Sequence, residues 1–180
     1  MKEDDRSSKK LALLVVDVQN GWLDISEGIR RSMDLHLATI QESVGLFRAA
    51  GRPVVFTYHK MDELKFSPGN REYDLIPQLN VEGEDRCTVK TRMNSFNGTD
   101  LSATLRDLDC DGVLIVGLSA LHCVMATYYG AYDQGFHPYL LRGGIVGPEE
   151  ESVEMAEKVC GTFTMEELRE YLHGPTAIGR

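Results

Sequence analysis

The sequence predicts an α/β protein: a three-layer α/β/α arrangement around a mostly parallel six-stranded sheet. Short aliphatic and β-branched runs alternate with segments of helical periodicity, which is the pattern of a parallel sheet covered by helices. The first run, LALLVVDVQ at residues 11–19, is apolar on both faces, as a central parallel strand must be. A length of 180 residues fits a single domain over residues 1–180, since domains commonly hold about 100 to 200 residues.

The first half of the chain predicts three strands, one helix and a long loop. The helix at 33–50 has one apolar face, and Gly51 followed by Pro53 ends it. The polar segment 60–85 contains several turn residues and could cover a site. The three strands are predicted at residues 11–19, 53–59 and 87–91.

The second half continues the alternation. Leu101, Leu105 and Leu108 give the next helix one apolar face. Gly135 closes the helix that follows the fourth strand, and three glutamates favour the start of the helix after the fifth. Strands are predicted at 112–119 and 137–145, helices at 121–134 and 149–159, and a last strand fragment with a C-terminal helix within 162–172.

The charge balance argues against polyanionic partners. The chain has 19 Lys and Arg against 28 Asp and Glu, a formal net charge of −9, which repels nucleic acid and anionic bilayers. The N-terminal MKEDDRSSKK lacks the apolar core of a signal peptide, and no apolar run approaches the roughly 20 residues of a membrane span. We therefore expect a cytoplasmic protein whose partner is a small-molecule substrate, not a nucleic acid or a membrane.

Three reactive side chains follow predicted strands. Asp17 lies near the end of the first strand, Lys90 near the end of the third, and Cys123 just after the fourth, at a helix start. Ligands of open α/β sheets bind outside the carboxyl ends of the strands, so we expect these three side chains to share one site.

This combination of residue types indicates acyl transfer. A helix start or a nearby cation makes a thiol ionise more readily, and Cys123 is expected to have both. Asp17 could accept the thiol proton, and Lys90 could stabilise both anions. The presence of each residue can also be explained without catalysis. Buried cysteines usually only pack in the core, aspartates can cap loops, and lysines at strand ends are commonly solvated.

Three segments resemble the motifs of the isochorismatase-like cysteine hydrolases, in the same order: VVDVQNGW, VKTRMNSFNGTDL and GVLIVGLSALHCV. The resemblance extends from about residue 11 to residue 163 and implies the isochorismatase-like fold with a Rossmann-like strand order. It implies a triad of Asp17 as general base, Lys90 as electrostatic partner and Cys123 as nucleophile.

The resemblance further implies a cis peptide bond between Leu118 and Ser119. In that arrangement the N–H groups of Ser119 and Cys123 would form an oxyanion hole. The implied mechanism is attack of the Cys123 thiolate on a carbonyl carbon, loss of ammonia or an amine, and hydrolysis of the thioester.

The sequence departs from the metal-binding nicotinamidases of this family, which carry Asp-x-His after the second strand. Thr57 stands in the place of that aspartate, and His59 remains. One histidine cannot hold a metal ion by itself, so we expect neither a metal nor another cofactor. The predicted substrate pocket consists of Trp22, His59, Asn94, Phe96 and His122.

Further departures lie after the fourth and fifth strands. The family often has an aspartate after the fifth strand and a histidine in the next helix, where this sequence has Gly143 and Val153. Ala120 stands where a threonine is common. The sequence leaves open whether these changes affect activity or only packing and assembly.

The predicted function is a cysteine-dependent hydrolase that cleaves a C–N bond of a small amide or ureide through a thioester. Two alternatives stay open: an isochorismatase-type vinyl-ether hydrolase, which does not need the cysteine, and a non-catalytic or redox-sensing member of the family. Homologues of this fold usually assemble, and the helix with Tyr128, Tyr129 and Tyr132 offers a contact surface. We therefore expect a homo-oligomer, either a dimer or a tetramer.

Overall fold

The structure, a computed structural model, describes residues 8–173 and is centred on one sheet. Its six strands are all parallel and lie in the order β3-β2-β1-β4-β5-β6. This order places β1 in the middle of the sheet, which confirms the predicted α/β fold and the buried first strand. The strands are β1 (Leu11–Val16), β2 (Val54–His59), β3 (Arg86–Lys90), β4 (Gly112–Leu118), β5 (His137–Val146) and β6 (Thr162–Phe163).

Helices connect the strands, and the first two differ from the prediction. The sequence predicts one helix at 33–50, but the structure has two, separated by Ser26. Ser26 caps the second of them, because its side chain accepts a hydrogen bond from the Ile29 N–H. The first turn of this helix is largely polar, so the apolar periodicity of the sequence did not indicate where the helix begins. The helices are α1 (Asn20–Ile25), α2 (Glu27–Ala49), α3 (Leu101–Asp107), α4 (Met125–Asp133), α5 (Glu150–Val159) and α6 (Met165–His173).

The sheet separates two apolar cores, and β1 contributes to both. Leu13 and Val15 pack with residues of α2 and α6, whereas Leu14 and Val16 pack with residues of α3, α4 and α5. Successive side chains of a strand point to opposite faces, so an entirely apolar strand is what two cores require. The three layers predicted from the sequence follow from this arrangement.

The turn after β4 is wider than predicted. The sequence predicts a helix at 121–134, but residues Ala120–Val124 form one π-helical turn, and the regular α4 begins only at Met125. The N–H of Val124 donates to the carbonyl of Ser119, five residues earlier. Such turns are rare and frequently occur at functional sites. Cys123 lies within this one.

The segment between β2 and β3 is irregular apart from a short 3₁₀ helix at Asp62–Leu64. It folds back on the residues that follow β1, because the Asn20 side chain donates to the carbonyls of Arg71, Asp74 and Leu75. Within the described residues, no helix combines the length and the apolar character that crossing a membrane requires.

The tyrosines of α4 differ in exposure. Tyr128 is half-buried, and its hydroxyl accepts a hydrogen bond from the Gly161 N–H. Tyr129 and Tyr132 are exposed, at 50% and 68% of their surface. A contact surface between subunits would therefore use the latter two, and the homo-oligomer stays a prediction.

We predict that Gly117→Ala destabilises the protein by about 2 kcal/mol or more. Gly117 has φ +109°, and an added Cβ would lie 2.3 Å from the Val16 carbonyl oxygen of the neighbouring strand. The matched control is Gly45→Ala in α2, where a Cβ would meet no atom within 4 Å. Urea unfolding should show a lower midpoint for the first variant and an equal or higher one for the second. Equal midpoints for both variants would contradict this description of the β4 end.

Candidate active site

The site lies at the carboxyl edge of the sheet, where four neighbouring strands end. Asp17 directly follows β1, and its backbone has φ +53°, a left-handed conformation that is uncommon for a residue with a side chain. The Asp17 N–H donates to both the carbonyl and the hydroxyl of Thr57 on β2, at 3.2 Å each. Backbone strain of this kind persists only where the surroundings enforce it, commonly at functional sites.

A buried ion pair joins Asp17 to Lys90. The Lys90 Nζ lies 2.7 Å from Asp17 Oδ2, and both side chains are almost completely inaccessible to solvent. The same ammonium donates to the carbonyls of Arg92 and Met93, both at 3.0 Å. The Thr57 hydroxyl donates to Asp17 Oδ1 at 2.7 Å. The structure therefore brings together the predicted carboxylate and the predicted cation.

Cys123 completes the cluster from the π-helical turn after β4. Its thiol is buried, and Sγ lies 3.8 Å from the Nδ1 of His59. Oxygen, nitrogen and sulfur atoms of Asp17, His59 and Cys123 all lie within 4.8 Å of one another. A nucleophile, a carboxylate and an imidazole therefore share one buried space.

The protonation states of the resting site differ from those expected. Burial raises the pKa of the Cys123 thiol to about 12; the charge of Asp17 acts in the same direction, and Lys90 acts against both. For the Asp17 carboxyl, burial raises the pKa, but His59 and Lys90 outweigh it and lower the pKa below its usual value. The expectation that the helix start and Lys90 make the thiol ionise easily is wrong for the resting site, because burial and Asp17 dominate.

His59 occupies a more central position than the pocket wall to which the sequence assigns it. Its Nδ1 lies 3.6 Å from Asp17 Oδ2 as well as 3.8 Å from the sulfur of Cys123. Gln19 fixes the strand end, since its side-chain oxygen accepts from the His59 N–H at 2.9 Å and its amide donates to the His59 carbonyl at 3.2 Å. The signal in the sequence was that His59 remains from the family's Asp-x-His pattern at the end of the second strand.

A cavity of about 330 Å³ opens onto Cys123. Trp22, His59 and His122 line it, together with Leu118 and Ser119. The bond between Leu118 and Ser119 is a cis peptide, at the position that the resemblance implies. The rest of the wall is mostly apolar and includes Ile25, Ile29, Met61 and Met93.

Asn94 and Phe96, which the sequence assigns to the pocket, do not line this cavity. The Asn94 side chain turns back to accept a hydrogen bond from the Phe96 N–H, and it packs against Gly130 of α4. Phe96 is buried away from the cavity, and its ring stacks on Phe136. The chain after β3 thus turns away from the cavity, and Met93 is the residue that reaches it.

The two departures near β5 also lie outside the cavity lining. The backbone of Gly143 has φ +72°, and its N–H donates to Glu157 of α5. Val153 is buried in the core beneath α5. Both positions contribute to the packing of α5 on the sheet.

Three side chains of the cluster carry atoms of the kinds that ligate metal ions. Asp17, His59 and Cys123 each offer one possible ligand atom. However, the ammonium of Lys90 already lies 2.7 Å from the carboxylate and would face a bound cation at close range. The residues present therefore do not suit a resident metal ion.

Comparison with known proteins identifies the family of this chain. The sequence profile described as "Isochorismatase domain" matches residues 11–164. This chain belongs to the isochorismatase family. Three curated members are similar to it along much of their length. The uncharacterized isochorismatase family protein YrdC of Bacillus subtilis is 30% identical over 135 residues, which cover 74% of this chain and 72% of that protein.

The other two members have assigned activities. Nicotinamidase 3 of Arabidopsis thaliana is 24% identical over 153 residues, 77% of this chain and 74% of that enzyme. Ureidoacrylate amidohydrolase RutB of Serratia proteamaculans is 25% identical over 155 residues, 66% of this chain and 62% of that enzyme.

Solved structures of the isochorismatase family and its relatives share the fold. A cysteine hydrolase from Pseudomonas syringae pv. phaseolicola superposes with a TM-score of 0.80 at 17% identity, covering 91% of this chain and 92% of the other. N-carbamoylsarcosine amidase from Thermoplasma acidophilum superposes with a TM-score of 0.72 at 20% identity, covering 86% and 95%.

We predict that iodoacetamide alkylates Cys123 about tenfold faster for each unit of pH between about pH 7 and about pH 10, because only the thiolate reacts and the thiol pKa is about 12. Asp17→Asn removes the repelling charge while Lys90 remains, so the pKa should fall and alkylation at pH 8 should be faster. Peptide mass spectrometry gives both rates.

A plateau of the wild-type rate near the pKa of free cysteine would contradict this assignment of charges. A slower rate in Asp17→Asn would contradict it as well.

Proposed function

We propose that this member of the isochorismatase family is a cysteine-dependent hydrolase that cleaves the C–N bond of a small amide or ureide through a thioester. The observation that carries the proposal is that Asp17 and Cys123 line one cavity of about 330 Å³, while Lys90, outside the lining, pairs with Asp17 at 2.7 Å. The activities of the relatives support the reaction class, since nicotinamidases and ureidoacrylate amidohydrolases both hydrolyse C–N bonds.

The first half of the reaction forms the thioester. The Cys123 sulfur attacks the substrate carbonyl carbon, and the thiol proton moves to Asp17. Because the thiol pKa is about 12 and that of Asp17 is lowered, proton transfer before the attack is strongly unfavourable. The proton therefore leaves as the S–C bond forms, which is general-base catalysis of the attack itself.

Charge then passes to the carbonyl oxygen. The N–H groups of Ser119 and Cys123 are the proposed donors to this oxyanion, and the cis peptide before Ser119 belongs to the same turn. The C–N bond breaks as Asp17 returns its proton to the leaving nitrogen. Ammonia or an amine departs, and the acyl group stays on sulfur.

The second half reverses the roles with water. A water molecule gives its proton to Asp17 and attacks the thioester carbonyl, and the C–S bond breaks as sulfur regains that proton. Lys90 remains charged throughout and holds the carboxylate in position. His59 lies beside both reacting groups, and we assign it the role of keeping Asp17 ionised.

We predict that Cys123→Ala lowers ammonia release from primary amides and ureides at least about a thousandfold, because the acyl acceptor is lost. The matched control is Cys110→Ala, which removes an equally buried thiol outside the site. A coupled enzymatic assay of ammonia across a panel of small amides measures both variants.

The same pair of variants separates the alternatives. Cys123→Ala with undiminished ammonia release would contradict the thioester route. Hydrolysis of a vinyl ether that survives in Cys123→Ala, with no amide cleaved by the wild type, would identify the isochorismatase-type reaction.

A further inference from the structure

The side chains that line the cavity indicate which substrate charge the site accepts. The polar residues that line it are Asp17, Ser26, His59, Ser119, His122 and Cys123. No lysine or arginine is among the described lining residues. The other lining residues are apolar or aromatic and include Ile25, Ile29 and Leu118.

The cation of the site, Lys90, is buried and does not line the cavity. Its Nζ lies 2.7 Å from the Asp17 carboxylate and donates to the carbonyls of Arg92 and Met93 at 3.0 Å. The Lys90 charge is also already balanced by Asp17.

The other place where an anion could bind is the start of α2, which borders the cavity. Ser26 already accepts the Ile29 N–H there, at 3.2 Å. The first turn of α2 carries Glu27, whose exposed carboxylate pairs with Arg31 of the same helix at 2.8 Å. A substrate carboxylate at this wall would lose its water and meet aliphatic side chains, with no lysine or arginine among the described lining residues to pair with it.

We infer that this site takes an uncharged amide with an apolar acyl chain and rejects amides that carry a carboxylate. The inference rests on the proposed function and adds the substrate class to it. Ureidoacrylate, the substrate of several relatives, is a carboxylate and falls outside this class. The specificity-determining surface is the aliphatic wall formed by Ile25 and Ile29.

The test uses the fluorescence of the chain's own tryptophan. Trp22 is the single tryptophan of the sequence and lines the cavity, so its fluorescence reports occupancy. Hexanamide and adipamate, the monoamide of adipic acid, differ only at the chain end, where a carboxylate replaces the methyl group. Both are titrated at the same pH into the Cys123→Ala variant, which cannot form the thioester.

We predict that hexanamide changes the Trp22 signal at a concentration at least about tenfold lower than adipamate, because only adipamate must bury an unpaired charge against the apolar wall. Adding Ile25→Arg should lower the concentration of adipamate required by about tenfold or more, because the guanidinium can pair with its carboxylate. Ile25→Gln is the matched control, since it is polar and uncharged. Ile25 is 58% exposed, so these substitutions do not disturb a core.

Equal responses to the two ligands, a stronger response to adipamate, or no response to either would overturn the inference. An equal gain of adipamate binding in Ile25→Arg and Ile25→Gln would also overturn it, because charge would not be the cause. Ammonia release from hexanamide by the wild type is measured separately. Preferential binding of hexanamide without any ammonia release would support the inference on ligand class and would remove the proposed function.

Discussion

The buried ion pair between Asp17 and Lys90 is the constraint on which the rest of the site depends. Its two charges come from β1 and β3, which are not neighbours, and β2 between them supplies the Thr57 hydroxyl and the His59 imidazole. Breaking a buried pair by removing one partner typically costs about 3–5 kcal/mol, because the other charge stays buried alone. The geometry of the reactive groups therefore depends on the register of β1, β2 and β3.

The pair also determines what the thiol can do. Cys123 lies in a π-helical turn that begins right after β4, and there the charge of Asp17 and burial together keep its sulfur protonated. A thiol that is neutral at rest is protected from adventitious alkylation and oxidation, since both require the thiolate. It becomes a nucleophile only when a carbonyl carbon is present to accept its electrons, which makes the proton acceptor Asp17 part of the same step.

Much of the fold and part of the site could be predicted from sequence. The entirely apolar β1 required two cores, and Asp17, Lys90 and Cys123 follow strands whose ends meet at one edge of the sheet. Three features depend on contacts between distant segments, such as that of Asn94 with Gly130. They are the π-helical turn after β4, the raised pKa of the Cys123 thiol and the orientation of the Asn94 side chain away from the cavity. Apolar periodicity does not encode such contacts, so the sequence alone could not supply them.

In the proposed reaction an acyl group is carried on Cys123. The most direct measurement is rapid acid quenching of the wild-type enzyme during turnover of the amide that releases ammonia fastest, followed by intact-mass and peptide mass spectrometry. We predict an acyl adduct on the peptide containing Cys123, formed together with a burst of ammonia and absent in Cys123→Ala. Ammonia release with no adduct, or an adduct on another residue, would contradict this reaction.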